Sequence, residues 1–345
     1  MKVNILARLP KVLPGWYAEN KRELPWRQDK DPYHIWISEI MLQQTRVEAV
    51  KGYYARFLQA LPTIQDLANA EDELLNKLWE GLGYYSRVRN LKKAAKVIME
   101  QYGGIFPGEY TQVIKLPGIG QYTAGAICSI AFNQKTPAVD GNVLRLYSRL
   151  LLDETPVDLP DMKKRVSDEL AAVYPDTAGD FTQALMELGA TVCGPNKAPD
   201  CEKCPCKGFC LAHKENKTDL VPVRLPKKQR RLEDKTVFIL TCGDQIALHK
   251  RPENGLLAGL WELPNVDGKL SAAAAVQAVA NMGIAAQNIE KIVERKHIFT
   301  HIQWDMQGVY LSVKEIAGDL TWLSLDEIQR DAALPTAFRQ FLPEI

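Results

Sequence analysis

At 345 residues and 46% hydrophobic composition, the chain can bury a real core and build more than one domain. A formal net charge of +1 excludes a global basic field as the means of holding nucleic acid, so any such contact must be local. No apolar run spans a bilayer, and Met1 to Leu13, broken by Arg8, Pro10 and Lys11, lacks the core of a signal peptide; a cytoplasmic protein with no membrane partner is expected.

Up to about residue 215 the chain reads as helices joined by short Gly/Pro turns. Asp31-Pro32 is a helix start, with Asp as N-cap and Pro at the first helical position. The helix then carries Ile35, Trp36, Ile40, Met41 and Val47. Similar periodicity runs over 67–79, 87–102, 121–132, 143–152, 162–173 and 181–192, with no comparable strand pattern. The stretch 218–234 holds Pro222, Pro226 and the basic run Lys227-Lys228-Gln229-Arg230-Arg231, and reads as a linker, a solvated tether more than a dedicated DNA contact. Then 236–241 and 245–250 flank Cys242-Gly243-Asp244, a hairpin. An Ala-rich helix over 271–282 follows, then strands over 298–306 and 308–313. The expected organisation is a mainly α domain over 1–217, a linker over 218–234 and a small α/β domain over 235–345.

Two carboxylates carry the chemistry. Glu39 lies among Ile37, Ile40, Met41 and Leu42, where desolvation would raise its pKa and suit it to act as an acid. The alternative is an amphipathic helix with Glu39 exposed beside Ser38. Asp140 precedes a helix starting near Asn142, where backbone N–H groups would hold it ionised; it also fits a plain N-cap. Breaking an N-glycosidic bond to a purine needs a proton for the leaving base and negative charge beside the sugar cation, so a pair of unlike carboxylates meets both needs.

Leu116-Pro117-Gly118-Ile119-Gly120 joins two helical segments. Free N–H groups at the following helix start can grip a phosphate; otherwise the turn is a helix connection with no ligand. Of seven cysteines, five crowd into the span from Cys193 to Cys210, which favours metal binding over disulfides. Cys193, Cys201, Cys204 and Cys210 form C-x7-C-x2-C-x5-C. Zinc sites usually use two short knuckles, whereas a [4Fe–4S] cluster accepts uneven spacing. Cys206 is a fifth thiol able to compete. The cluster would fold the loop 193–210, bearing Lys197, Lys203 and Lys207, toward DNA.

Together with Leu24-Pro25-Trp26-Arg27 and Gly81-Leu82-Gly83-Tyr84-Tyr85-Ser86-Arg87, these motifs make the chain resemble the adenine DNA glycosylases of the MutY family, within the endonuclease III superfamily, over nearly its whole length. The resemblance implies a helix-hairpin-helix glycosylase domain with an iron-sulfur loop, followed by a Nudix-like domain. It implies a monomer that removes adenine opposite 8-oxoguanine or G in double-stranded DNA, in the nucleoid. Glu39 matches the general acid and Asp140 the carboxylate beside the sugar cation. Tyr122 and Asn142 match their supports. Trp26, Arg27 and Gln183 match the pocket for the extruded base, since the reacting bond is inaccessible in the stack. Gln43 and Tyr84 match residues inserted at the lesion. Leu116 to Gly120 match the DNA-binding hairpin, and the four cysteines match the cluster ligands.

Bifunctional relatives have Lys where this chain has Tyr122, and a phenol forms no Schiff base, so excision without lyase activity is expected; an aromatic merely packed at the helix start is the plainer reading. Gly255-Leu256-Leu257-Ala258-Gly259-Leu260-Trp261-Glu262-Leu263-Pro264 resembles the opening of a Nudix signature, but Ser271 to Gln277 carries no carboxylate to hold Mg²⁺. That implies recognition without hydrolysis. Phe299-Thr300-His301 matches the loop that reads 8-oxoguanine, with Thr for the usual Ser; a hairpin His beside an aromatic also fits a structural role. Two further departures are x7 for the usual x6 before Cys201 and Gln183 where relatives often have Glu. The other readings are a thymine or oxidised-pyrimidine glycosylase, a silent DNA-lesion binding protein and a Nudix hydrolase.

Overall fold

The structure is a computed structural model that describes residues 2–195, 199–226 and 229–344. Lys197, Lys227 and Lys228 lie outside the described residues. The chain divides into two compact units, one of Met1–Ala70 with Asn90–Pro226, the other of Glu71–Arg89 with Lys227–Ile345. Among the described residues, no helix is long and apolar enough to cross a membrane.

The first unit is helical. It opens with α1 (Lys2–Leu6), α2 (Leu9–Asn20), α3 (Pro32–Met41), α4 (Val47–Ala60) and α5 (Ile64–Asn69). Asp31 caps α3 by accepting from the Tyr33 N–H at 2.8 Å. The helix expected to continue to Val47 stops at Met41, because Gln44 turns left-handed at φ 60° and Val47 starts a new helix. The expected single stretch 67–79 is two helices, α5, opened by a capping box of Thr63 and Asp66, and α6 (Asp72–Leu78), because Ala70 and Glu71 between them are extended. α6 belongs to the second unit, and α7 (Ser86–Tyr102) starts there and runs into the first. Then come α8 (Tyr110–Val113), α9 (Gln121–Phe132), α10 (Gly141–Leu151), α11 (Pro160–Ala171), α12 (Ala178–Thr191) and α13 (Leu211–Lys214). α10, α11 and α12 pack with α2 around Leu13, Tyr17, Leu146, Tyr147, Val166, Phe181 and Leu188. At Gly189 of α12 an added Cβ would fall 2.6 Å from the Asn142 Cβ, so only a glycine lets α12 lie this close to the start of α10.

The second unit holds a seven-stranded mixed sheet. Its strands are β1 (Arg231–Cys242), β2 (Gln245–Lys250), β3 (Trp261–Glu262), β4 (Asn265–Asp267), β5 (Ala286–Ile298), β6 (Ile302–Val313) and β7 (Thr321–Ser324). The order is β3-β2-β1-β6-β5, with β4 on β1 and β7 on β2. β1 runs parallel to β6 from the pair Arg231–Ile302 onward, so residues 231–234, expected as linker, are already strand. The expected strand 298–306 is broken at 299–301, where the Phe299 N–H donates to the Ile302 carbonyl at 2.8 Å and closes the β5–β6 hairpin. β5 was not legible as a strand, since its apolar residues Ile289, Ile292, Val293 and Ile298 follow no two-residue alternation and charged runs such as Glu290-Lys291 and Glu294-Arg295 stand among them. Val237 and Ile239 pack on one face with Phe338 and Phe341, from and just beyond α16 (Thr336–Arg339), and with Ile328 of α15 (Leu325–Asp331). Phe238 and Leu240 pack on the other face with Ala275 and Val279 of α14 (Ala272–Asn281). A strand covered on both faces reads as a continuous apolar run.

Candidate active site

Glu39 is buried, 6% exposed, which decides against the amphipathic alternative. The Tyr122 hydroxyl at the start of α9 donates to its Oε2 at 2.5 Å. Burial pushes the Glu39 carboxyl up to about 7, with the Tyr122 hydrogen bond opposing, Asp140 adding to the rise and Arg27 opposing it.

Asp140 is the N-cap of α10, which begins one residue before the expected Asn142. Its Oδ1 accepts from the Val143 N–H at 2.8 Å and its Oδ2 from Asn142 Nδ2 at 2.6 Å. Asn142 is oriented by Arg145, whose Nη2 donates to Asn142 Oδ1 at 2.8 Å and to the Gly189 carbonyl at 2.7 Å. The helix terminus expected to hold Asp140 ionised is present, yet burial outweighs these donors and raises the carboxyl above its ordinary value. Glu39 receives one hydroxyl donor, whereas Asp140 receives an amide, a backbone N–H and the nearby Arg145 cation. A shared proton therefore favours Glu39.

Two cavities meet at this group. Glu39, Leu42, Tyr122 and Asp140 line both. The first continues past Gln43, Gly120 and Gln121. Gln43 Nε2 donates to Thr123 Oγ1 at 3.3 Å there. The second continues past Trp26, Arg27, Asn142 and Gln183. Trp26 stands edge-on to Tyr54 at 5.5 Å between ring centroids, and Arg27 Nη2 donates to Glu187 Oε2 at 2.8 Å.

Leu116 and Ile119 anchor the hairpin in the core, Pro117 is half-buried, and Gly118 and Gly120 are exposed. Gly118 sits at φ +76° with the Asn90 Cβ 2.5 Å from where its own would be. Gly120 caps α9 without any side chain, so the helix start stays bare beside the first cavity.

Tyr84, Phe299, Thr300 and His301 line a separate cavity of the second unit with Gly81, Gly255 and Leu256. Phe299-Thr300-His301 is the loop between β5 and β6, and the Tyr84 hydroxyl is hydrogen-bonded to Thr300 Oγ1. Phe299 packs edge-on against Trp304 at 4.8 Å and His297 at 4.5 Å, leaving Thr300 and His301 exposed.

Cys193, Cys201, Cys204 and Cys210 line one further cavity, where Arg149 Nη1 donates to Cys193 Sγ at 3.2 Å. Cys206 is buried and does not line it. A four-sulfur donor set of this kind suits iron-sulfur or zinc, although no preformed metal-binding group is found among the described residues.

Sequence reasoning missed Arg22 and Glu187, which also line the second cavity. Glu187 falls one helical turn after Gln183, a spacing that puts both on one face of α12.

Residues 37–172 match the HhH-GPD superfamily of base excision DNA repair proteins, and 236–344 match the NUDIX domain. The fold and site thus define a helix-hairpin-helix base excision repair protein with a C-terminal Nudix-like α/β domain. A thermostable thymine-DNA glycosylase superposes with TM-score 0.55 at 29% identity, over 62% of this chain and 97% of that one. Endonuclease III in a non-covalent DNA complex, at 22% identity and TM-score 0.51, over 61% of this chain and 97% of that one, shares the fold. The adenine DNA glycosylase of Rattus norvegicus is 36% identical over 95% of this chain and 76% of its own length. That of Buchnera aphidicola subsp. Baizongia pistaciae is 32% identical over 96% and 95%. The chain belongs to the adenine DNA glycosylase family, and is an enzyme that removes adenine by breaking an N-glycosyl bond in base excision repair. The thymine, oxidised-pyrimidine, silent-binder and nucleotide-hydrolase readings are set aside.

Proposed function

We propose that this glycosylase removes adenine opposite 8-oxoguanine or G by hydrolysis, without cutting the strand. The observation that carries the mechanism is the Tyr122–Glu39–Asp140 group at the junction of two cavities. An adenine extruded from the duplex enters the second cavity between Trp26, Arg27 and Gln183. Gln183 can donate to and accept from it. Glu39 gives its proton to N7 as the bond to the sugar stretches, so the base leaves neutral. Asp140, steadied by Asn142 and Val143, faces the oxocarbenium charge. Glu39, now ionised, takes the proton of the attacking water. Tyr122 holds Glu39 and supplies no amine, so no Schiff base forms.

The bare start of α9 and the hairpin hold a DNA phosphate, with Gln43 inserted at the lesion. The Tyr84–Thr300 pair, with Phe299 and His301, reads the opposite base. The lack of any carboxylate on α14 supports reading without hydrolysis. Cys193, Cys201, Cys204 and Cys210 would hold a [4Fe–4S] cluster, which cross-links the loop near Arg149 when bound.

A single-turnover assay on duplexes carrying A opposite 8-oxoguanine, G or T, with and without alkali, tests the proposal. Fast adenine loss opposite 8-oxoguanine, with breaks only after alkali, is expected. Equal rates on all three, or breaks without alkali, would refute the opposite-base or the monofunctional part.

A further inference from the structure

Among the described residues Glu187 is the most buried charged side chain of the first unit, at 1% exposure. Its carboxylate collects four donors. Arg22 gives its backbone N–H at 3.0 Å and Nε at 2.7 Å to Oε1, and Nη2 at 2.9 Å to Oε2. Arg27 gives Nη2 to Oε2 at 2.8 Å and returns Nη1 to the Arg22 carbonyl at 3.0 Å. Both guanidiniums and Glu187 line the same cavity as Glu39 and Asp140.

This places a cation beside an acid that must keep its proton. Arg27 pulls the Glu39 carboxyl down, while burial and Asp140 push it up. The other groups packed around them do not cancel Arg27. Tyr122 is a neutral donor to Glu39, its phenol pushed well above its ordinary value by burial, and Arg145 acts on Asp140 and Asn142. Tyr17 lies under the Arg27 guanidinium at 5.5 Å, with its phenol pushed up to about 12 and so uncharged. Asp180 acts on Tyr17, and Glu48 on Arg22.

We propose that Glu187 is a positioning residue for Glu39: it clamps both guanidiniums to α12 and offsets their charge, so that Glu39 retains the proton the departing base will take. The proposal rests on the reading of Glu39 as proton donor. Removing one partner of a buried ion pair leaves the other charge seeking a counter-ion. Here the remaining carboxylates on the cavity are Glu39 and Asp140, and a released Arg27 would turn to them and draw off the proton.

The test is the titration midpoint of Glu39 in the full chain, read by carboxyl ¹³C NMR and assigned by the resonance that Glu39→Gln removes. Glu187→Gln should lower the midpoint by about one pH unit, leaving roughly tenfold less protonated Glu39 above it. The alkaline limb of single-turnover excision should move the same way. Arg27→Gln should raise the midpoint, a sign that loss of packing does not predict. An unmoved midpoint in Glu187→Gln, or an unmoved or lowered one in Arg27→Gln, overturns the proposal. If Glu187→Gln does not fold, Arg27→Gln decides alone, because it keeps the Arg22–Glu187 pair. Undiminished excision by Glu39→Gln would sink the proton-donor reading and leave the titration result standing.

Discussion

The Tyr122 hydroxyl donates to Glu39 Oε2 at 2.5 Å, joining the residue just after the hairpin to the one buried acid of α3. The turn proposed to grip DNA and the acid proposed to protonate the base are therefore linked through the first turn of α9.

Glu39→Gln should keep DNA binding and lose on the order of 10²–10⁴-fold in single-turnover excision, as expected for a lost general acid. In the native chain the rate should fall as pH rises through about 7, since the proposed proton donor loses its proton there. The sign for stability is the same. The folded-state value lies above the ordinary 4.5, so the folded state binds the proton more tightly. The contribution is full below 4.5 and is lost as pH climbs to about 7. A rate that rises across this range would refute the assignment.

For Asp140→Asn a loss of roughly 10²–10³-fold is expected, since the sugar cation loses its counter-charge. Asparagine still accepts from the Val143 N–H, so the melting temperature should change little. Undiminished excision by the variant would leave Asp140 as a cap alone.

Gly118→Ala forces a side chain into the left-handed region and against Asn90. A destabilisation of about 1–3 kcal/mol and weaker binding to any duplex are expected, with no change in preference for the opposite base. Calorimetry and fluorescence anisotropy read the two effects. Full affinity would remove the hairpin from the DNA interface.

Thr300→Val removes the hydroxyl that pairs with Tyr84 and keeps the shape. Selectivity for A opposite 8-oxoguanine over A opposite G should drop, while excision opposite G persists. Unchanged selectivity would strip the 299–301 loop of its reading role.

Cys201→Ser should lower bound iron and sulfide per chain and the melting temperature together, whereas Cys206→Ser should lower neither as far. Cys206 lies off the cavity that the other four share. Equal losses in both variants would mean that the fifth thiol is a ligand.

The helices could be read from the sequence wherever one face is apolar and a cap is explicit. Asp31 before Pro32, Gly120 before Gln121 and Asp140 before Gly141 all mark true starts, because capping is a local property of the chain. Breaks without Gly or Pro, such as Ala70-Glu71, and the charged, non-alternating β5 were not legible. Their conformation is decided by what they pack or pair with.

The sequence by itself determined the kinds of chemistry available: two acids, a phenol in place of an amine, four closely spaced thiols and a Nudix-like domain without a metal-binding helix. Tertiary structure decided which groups meet. It buried Glu39 under Tyr122, set Asp140 across from it and placed Tyr84 against Thr300. It also tied Arg22 and Arg27 to Glu187, about 160 residues away along the chain. Local patterns register the propensities of neighbours, whereas burial and charge pairing depend on which distant segments share a cavity wall, and that is set only when the chain folds.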